Sequence, residues 1–317
     1  MKRFDVTALG ELLIDLTQND ISAQGNPVLE ANPGGAPCNV LACLSKLGHE
    51  TAFIGKVGKD GFGEQLTAGL VETGICTQGL MYDKNVHTTL AVVHTYADGD
   101  RDFSFYRNPG ADMMLRAEEV DEELIKNSQI FHFGSLSMTD EPCRSAHLHA
   151  LKIAEEAGIL RSYDPNLRPP LWPSLEVAKQ NILELMGHCD ILKISDNEIQ
   201  WLSGKEDYDE GIAWLRERFD IPLIFLTLGK DGSRAYCGSV RVEVPGFKMN
   251  TIETTGAGDT FFGSVLHHIL QLGFRAYTAE ELAEMLRFAN AAAAIVTTRR
   301  GALRVMPSQE EINALLA

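Results

Sequence analysis

Two stretches of this chain combine residue types and spacing that chemistry can use. The first is Thr254-Thr255-Gly256-Ala257-Gly258-Asp259, which runs straight into Thr260-Phe261-Phe262-Gly263-Ser264-Val265-Leu266. Gly256, Ala257 and Gly258 are small enough for a tight turn that aims backbone N–H groups at one spot. The spacing of Phe261, Phe262, Val265, Leu266 and Ile269 predicts a helix starting at or just before Asp259. Free N–H groups at a helix N-terminus, with the helix dipole behind them, form an anion site. A carboxylate inside that site repels phosphate, so it suits a different task. Asp259 is placed to take the proton of a hydroxyl that attacks a phosphoryl group. The plainer alternative is a glycine-rich strand-to-helix turn with aspartate as an early-turn charge.

The second stretch is Asn32-Pro33-Gly34-Gly35-Ala36-Pro37-Cys38-Asn39. Pro37 fits the first turn of a helix with apolar face Val40, Leu41, Leu44 and Leu47, ended by Gly48. Gly34 and Gly35 allow close approach to a small polar ligand, and Asn39 offers both a donor and an acceptor to hydroxyls. A capped core helix would account for the proline and the leucines. It leaves the glycine pair and the first-turn amide unexplained.

The elements that must position these residues alternate strand and helix. Phe4 to Gly10 reads as an inner strand, with Asp15 just beyond its end, where open α/β sheets bind ligands. Thr51 to Gly58 is a further strand-and-turn unit, and Phe62 to Gly74 a helix closed by glycine. Ile130–Gly134 is a strand and Ala146 to Gly158 a helix. Ile159–Asp164, Ile191–Ser195 and Leu223–Thr227 are strands followed by Pro165-Asn166-Leu167-Arg168, Asp196-Asn197-Glu198 and Leu228-Gly229-Lys230-Asp231-Gly232. Polar or glycine-bearing clusters after successive apolar strands suit a ligand crevice across a parallel sheet. Asn290-Ala291-Ala292-Ala293-Ala294 marks a helix on which something packs closely.

His87 to Arg107 breaks the alternation. It reads as a β-hairpin with its turn at Asp98-Gly99-Asp100. With the Leu12–Asn32 excursion it is expected to build a small sheet outside the main body, a lid that excludes water. Dimer contacts through that sheet are compatible with the same hairpin. The expected architecture is one α/β domain over 1–317, with lid segments at about 12–32 and 87–107.

A formal net charge of −16 counts against nucleic acid and anionic membranes as partners. No apolar run approaches the ~18 residues of a membrane span. The six cysteines are scattered with no C-x-x-C pair and no signal peptide is evident, so reduced thiols in a cytoplasmic protein are expected.

Taken in order from Gly10 to Gly301, these motifs resemble the ribokinase-like (pfkB) sugar kinase family, and within it the fructokinases. Gly34-Gly35 with Asn39 is similar to that family's amino-terminal signature, and Glu253 to Asp259 to its carboxy-terminal one. Phe105-Tyr106-Arg107-Asn108-Pro109-Gly110-Ala111-Asp112 and Ser162-Tyr163-Asp164-Pro165-Asn166-Leu167-Arg168 resemble fructokinase stretches. The resemblance implies a three-layer α/β/α domain with a mainly parallel central sheet and a small β-sheet lid. It implies that Asp15, Gly34, Gly35 and Asn39 bind sugar hydroxyls and that Asp259 acts as base. Gly256, Ala257 and Gly258 would form the anion hole. Thr227, Gly229, Gly232 and Asn290 would line an ATP pocket, with Ser195 near the phosphates and Glu198 ordering the water shell of Mg²⁺. A monovalent cation, K⁺, would sit by Glu253, Thr255 and Gly301.

Two positions depart from the family pattern: Glu253 replaces the more usual aspartate, and Ser195 replaces an asparagine. Arg168, and Arg107 once the lid closes, could each put a positive fork on the phosphoryl group or the sugar; a surface ion pair is the alternative for either. The implied reaction is transfer of phosphate from ATP to the 6-hydroxyl of D-fructose. The rivals are a 2-keto-3-deoxygluconate kinase, whose substrate carboxylate needs a cation such as Arg107 or Arg168, and a sugar-binding regulator without catalysis.

Overall fold

A computed structural model describes residues 3–95 and 101–317. The strands are β1 (Phe4–Leu9), β2 (Leu13–Ile21), β3 (Pro27–Gly34), β4 (Thr51–Gly58), β5 (Ile75–Asp83), β6 (Leu90–Thr95) and β7 (Arg101–Tyr106). They continue as β8 (Ser128–Gly134), β9 (Leu160–Asp164), β10 (Ile191–Ser195), β11 (Leu223–Thr227), β12 (Gly232–Cys237) and β13 (Val240–Pro245). The helices are α1 (Ala36–Lys46), α2 (Gly61–Glu72), α3 (Glu122–Lys126), α4 (Cys143–Glu156), α5 (Leu175–Met186), α6 (Asp196–Ser203), α7 (Tyr208–Arg216), α8 (Ala257–Leu272), α9 (Ala279–Val296) and α10 (Gln309–Leu316).

A nine-stranded sheet in the order β13-β12-β11-β10-β9-β8-β1-β4-β5 forms the middle layer. Strands from β11 through β5 in that order are parallel, and β12 and β13 turn back antiparallel at one edge. The chain begins on β1, builds outward through β4 and β5, then returns to β8 on the other side of β1. That reversal is the switch point where open α/β sheets hold ligands beyond their strand ends.

Side-chain alternation along the strands fills two cores, one on each face. Ile191, Leu223 and Phe225 join α1, α2, α8 and α9 in one core. Leu192, Ile194, Ile224 and Leu226 join α3 to α7 in the other. The three-layer α/β/α architecture implied by the resemblance is the one observed.

β2, β3, β6 and β7 form a separate four-stranded sheet in the order β3-β2-β6-β7. β2 pairs antiparallel with β3 and parallel with β6, so the two expected excursions do meet. The hairpin strand begins at Leu90 rather than His87, because the Thr88 amide and hydroxyl both donate to Asp60 and draw that residue toward α2. The turn expected at Asp98-Gly99-Asp100 lies outside the described residues.

α1 and α8 set the site. Cys43 Sγ lies 3.6 Å from Ser264 Oγ, one turn along from the contact of Asn39 with Asp259, so the helices run side by side in one direction. Gly263 permits that closeness, since a Cβ there would fall 2.8 Å from Cys43 Cβ. Both N-termini therefore open at the same place, beyond the ends of the central strands.

Candidate active site

α8 starts at Ala257, just before Asp259 as the apolar spacing predicts. Gly256 adopts a left-handed conformation, φ 77°, which side-chain-bearing residues rarely take, and turns the chain into the helix at Ala257. No side chain caps this end. The Ala257 N–H folds back on the Thr254 carbonyl at 3.2 Å, while the first helical acceptor, Gly256 O, bonds Thr260. Of the three residues expected to form an anion hole, Ala257 therefore spends its donor within the turn. The amides of Gly258 and Asp259 precede the first i to i−4 partner, as at any helix start, and point out of the helix end.

Asp259 is buried, and Asn39 Nδ2 donates to its Oδ2 at 2.8 Å. Burial raises the Asp259 pKa, opposed by Asn39, Lys193 and Arg168. Among the described residues Asn39 Oδ1 is a buried acceptor with no donor. Leaving such an oxygen unmet costs free energy, so a ligand hydroxyl suits the position. Asp15, on β2, is pushed up to about 7 by burial, with Arg168 pulling down and Glu253 and Asp259 pushing up. Gly34 lies against it: a Cβ there would sit 2.3 Å from Asp15 Oδ2. Gly35 follows directly and is the residue from which α1 starts. Asp15, Gly34, Gly35, Asn39 and Asp259 thus gather from the small sheet and two helix ends.

Arg168, half-buried after β9, acts electrostatically on both Asp15 and Asp259. Arg107 does not join them as a mobile fork. Its side chain is buried, with Nε donating to Asp112 at 2.7 Å, Nη1 to Thr139 Oγ1 at 2.9 Å and Nη2 to the Leu136 carbonyl at 3.1 Å. It is neither a surface ion pair nor a free group on a lid. The guanidinium needs these partners because water is excluded.

A cleft of about 730 Å³ opens beside α8, lined by Ser195, Glu198, Thr227, Gly229, Gly232 and Asn290, and also by Arg168, Lys193 and Gly258. The Asn290 amide is already committed. Its Oδ1 accepts from Ser233 at 2.9 Å and its Nδ2 donates to the Val244 and Pro245 carbonyls, which ties α9 to β12 and β13. It shapes the cleft wall rather than offering free polar atoms. Ser195 and Glu198 form a capping box on α6, with Glu198 Oε2 accepting from Ser195 N and Oγ, and Oε1 accepting from Leu167 N at 2.8 Å. Burial opposes the Glu198 charge, but Lys193 and these N–H groups outweigh it and hold the carboxylate below its usual range. The Ser-x-x-Glu spacing signals this cap in the sequence alone.

Glu253, Thr255 and Gly301 converge across a long separation. Thr255 Oγ1 donates to Glu253 Oε1 at 2.6 Å and Gly301 N to Oε2 at 3.2 Å. Among the described residues no group of three or more His, Cys, Asp or Glu side chains could hold a metal ion. A divalent ion here suits delivery on phosphates rather than a protein cage.

Three residues in this region have no role in the motif reading. Lys193 and Asp164 form a buried ion pair, Nζ to Oδ2 2.8 Å, on the face of the sheet covered by α8. A lysine within the otherwise apolar Ile191-Leu192-Lys193-Ile194 strand is the sequence signal for it. Glu11 accepts from Ala36 N at 3.0 Å, and its carboxyl is pushed up to about 7 chiefly by burial. Sequence gives no comparable sign of that bond.

The chain matches the family model described as pfkB family carbohydrate kinase over residues 3–309. It is 43% identical over 315 residues to "Probable fructokinase-4" of Arabidopsis thaliana, covering 98% of this chain and 96% of that one. A fructokinase of Xylella fastidiosa with bound ATP superposes with a TM-score of 0.89 at 31% identity, covering 98% of each chain. A double-mutant fructokinase of Vibrio cholerae O395, bound to fructose, ADP and a potassium ion, gives 0.89 at 28% identity over 100% of each.

Proposed function

Since the chain belongs to the pfkB family of carbohydrate kinases, we propose that it is an ATP-dependent fructokinase, which phosphorylates the 6-hydroxyl of D-fructose. Full-length identity of 43% to a fructokinase carries the substrate choice. One local observation carries the chemistry: a buried carboxylate, Asp259, in the first turn of α8, held by Asn39 from the adjoining helix end.

Asp15, Gly34, Gly35 and Asn39 bind the sugar, with Asn39 Oδ1 accepting one of its hydroxyls. Asp259 takes the proton of the attacking hydroxyl. The amides at the start of α8, with Gly256 and Gly258 shaping the turn, stabilise charge on the equatorial oxygens of the moving phosphoryl group without reorganising. Arg168 adds positive charge beside Asp15 and Asp259. ATP occupies the cleft lined by Thr227, Gly229, Gly232 and Asn290, with Ser195 near its phosphates. Glu198, held ionised in the wall of that cleft, would order the water shell of a Mg²⁺ ion carried by those phosphates, and the ion would supply neutralisation of their charge.

Glu253, Thr255 and Gly301 form the K⁺ site, and the longer side chain of Glu253 supplies the carboxylate there. The Vibrio cholerae fructokinase binds a potassium ion. The small sheet closes over the sugar as a lid, and its exposed Ile21, Val28, Leu29 and Tyr106 suit a homodimer contact. Among the described residues no helix is long and apolar enough to cross a membrane, and all six cysteines are unpaired, in keeping with a cytoplasmic enzyme.

A panel of sugars at fixed ATP and Mg²⁺, with the product position assigned by NMR, tests the substrate. Fructose 6-phosphate as the main product is expected. Better turnover of 2-keto-3-deoxygluconate than of fructose would overturn it. Commitment of Arg107 to Asp112 leaves Arg168 as the one of those two arginines still placed to meet a keto-acid's carboxylate.

A further inference from the structure

We propose that Lys193 is a further catalytic residue, whose ammonium contacts the transferring phosphoryl group, and that Asp164 is the positioning residue that aims it. This rests on the sugar kinase reading above. Lys193 lies in the middle of β10, on the side of the sheet that faces α8. Its Nζ donates to both Asp164 oxygens, at 3.1 and 2.8 Å. A Cβ placed on Gly258 would be only 3.1 Å from that Nζ, so the ammonium stands directly against the first turn of α8. The same side chain lines the cleft that also exposes Gly258 and Arg168.

A merely structural pair is a poor explanation for this arrangement. Two charges removed from water are stabilised no better than well-packed apolar side chains of similar volume. β10 is otherwise apolar on the residues around Lys193, and an apolar side chain would fit the strand. What an apolar side chain would not provide is a fixed cation beside the helix end where amides converge. An ammonium has three N–H donors, and the two oxygens of Asp164 engage at most two of them. The third is left for an oxygen in the cleft. Asp259 and Glu198 also surround it and favour its charged form.

In the transfer step the bond from the sugar's O6 to the γ-phosphorus forms while the bond from that phosphorus to the ADP oxygen breaks. The O6 proton passes to Asp259, and the bonding electron pair leaves on the β-phosphate oxygen. Lys193 keeps its proton throughout. It contributes one charge-assisted hydrogen bond to an equatorial oxygen, strongest when charge on that oxygen is greatest. Gly258 lacks a Cβ, and that leaves room for the ammonium to reach this position.

Lys193→Met is expected to lower kcat by roughly 10²–10³, the loss typical of one such donor, with little change in KM for fructose. Asp164→Asn keeps the ammonium but loosens it, and is expected to lower kcat by about tenfold with KM again unchanged. The double variant Lys193→Met/Asp164→Asn leaves no uncompensated buried charge, so the fold is not asked to hold one. It should match the single lysine variant in rate. A second readout is the complex trapped by ADP, fluoroaluminate and fructose, which mimics the moving phosphoryl group. The lysine variants should fail to form it while binding ADP and fructose separately. A double variant with kcat within about threefold of wild type, or one that still traps fluoroaluminate tightly, overturns this inference alone. Wild-type protein that transfers no phosphate to fructose overturns the fructokinase reading and this inference with it.

Discussion

Gly263 is one turn of helix below Asp259 and touches no substrate, yet substituting it should slow the reaction. A Cβ at this position would meet Cys43 Cβ at 2.8 Å, Cys43 Sγ at 3.0 Å and the Val40 carbonyl oxygen at 3.0 Å. Carbon atoms rest at about 3.5–4.0 Å, so Gly263→Ala must drive α1 and α8 apart by roughly 1 Å. Two terms compete in stability. Alanine gains about 1 kcal/mol over glycine inside a helix. Overpacking costs about 1–3 kcal/mol, and one of the atoms met is a backbone oxygen that no rotamer change can move. The net effect on stability is then a loss of about 1 kcal/mol. The effect on rate is larger. One turn up, the 2.8 Å bond from Asn39 to Asp259 spans the same two helices, and it stretches out of range if they part. Misplacing reacting groups by about 1 Å costs on the order of 10²-fold in rate. Gly69→Ala, on α2, serves as the control. There the nearest atoms are Leu303 Cδ2 at 3.4 Å and Pro33 Cγ at 3.5 Å, so no helix has to move. The assay is kcat at saturating fructose and ATP, with Tm measured on the same preparations. Gly263→Ala with the kcat of wild type would refute the idea that this helix contact sets the site.

Asp259→Asn should lose roughly 10²–10⁴ in kcat while fructose still binds by calorimetry, since the amide keeps an acceptor for Asn39; near-normal turnover would remove Asp259 from the role of base and favour a different mechanism. Glu11 binds its proton more tightly in the folded protein, with its pKa raised to about 7, than in the unfolded chain, so its contribution to stability falls as pH rises from about 4.5 to about 7 and returns on acidification. Glu11→Gln should therefore gain Tm over wild type at pH 8 by up to about 3 kcal/mol of stability and lose that advantage near pH 4; a gain that persists at pH 4 would point to packing instead of charge. If Glu253, Thr255 and Gly301 hold K⁺, wild-type Tm should rise with K⁺ in place of Na⁺, and Glu253→Gln should need about tenfold more K⁺ for the same rise. Identical K⁺ responses in the two proteins would place the cation elsewhere.

The parts of this protein fixed by local sequence are those whose physics is local. A run of Gly256-Ala257-Gly258 before an apolar 3.6-residue period can only turn and start a helix, and it places Asp259 in that helix's first turn. Apolar strands alternating with amphipathic helices commit the chain to a parallel sheet with its clusters beyond the strand ends. Ser195 and Glu198 cap a helix because they are three residues apart. The register of α1 against α8 is different, because Asn39 and Asp259 are 220 residues apart and only the packing of the two helices, which approach closely at Gly263 and Cys43, brings them together. Arg107 shows the same limit. A lone arginine at the end of a strand looks free until Asp112, Thr139 and the Leu136 carbonyl enclose it. Asn290 lines the cleft, but only the structure shows that β12 and β13 take up its amide. Lys193 is an oddity in an apolar strand until Asp164 and the start of α8 stand on either side of it. Sequence determines which groups are available and which local shapes they take. Whether a polar group faces substrate or another side chain depends on what excludes water around it, and only the assembled layers settle that.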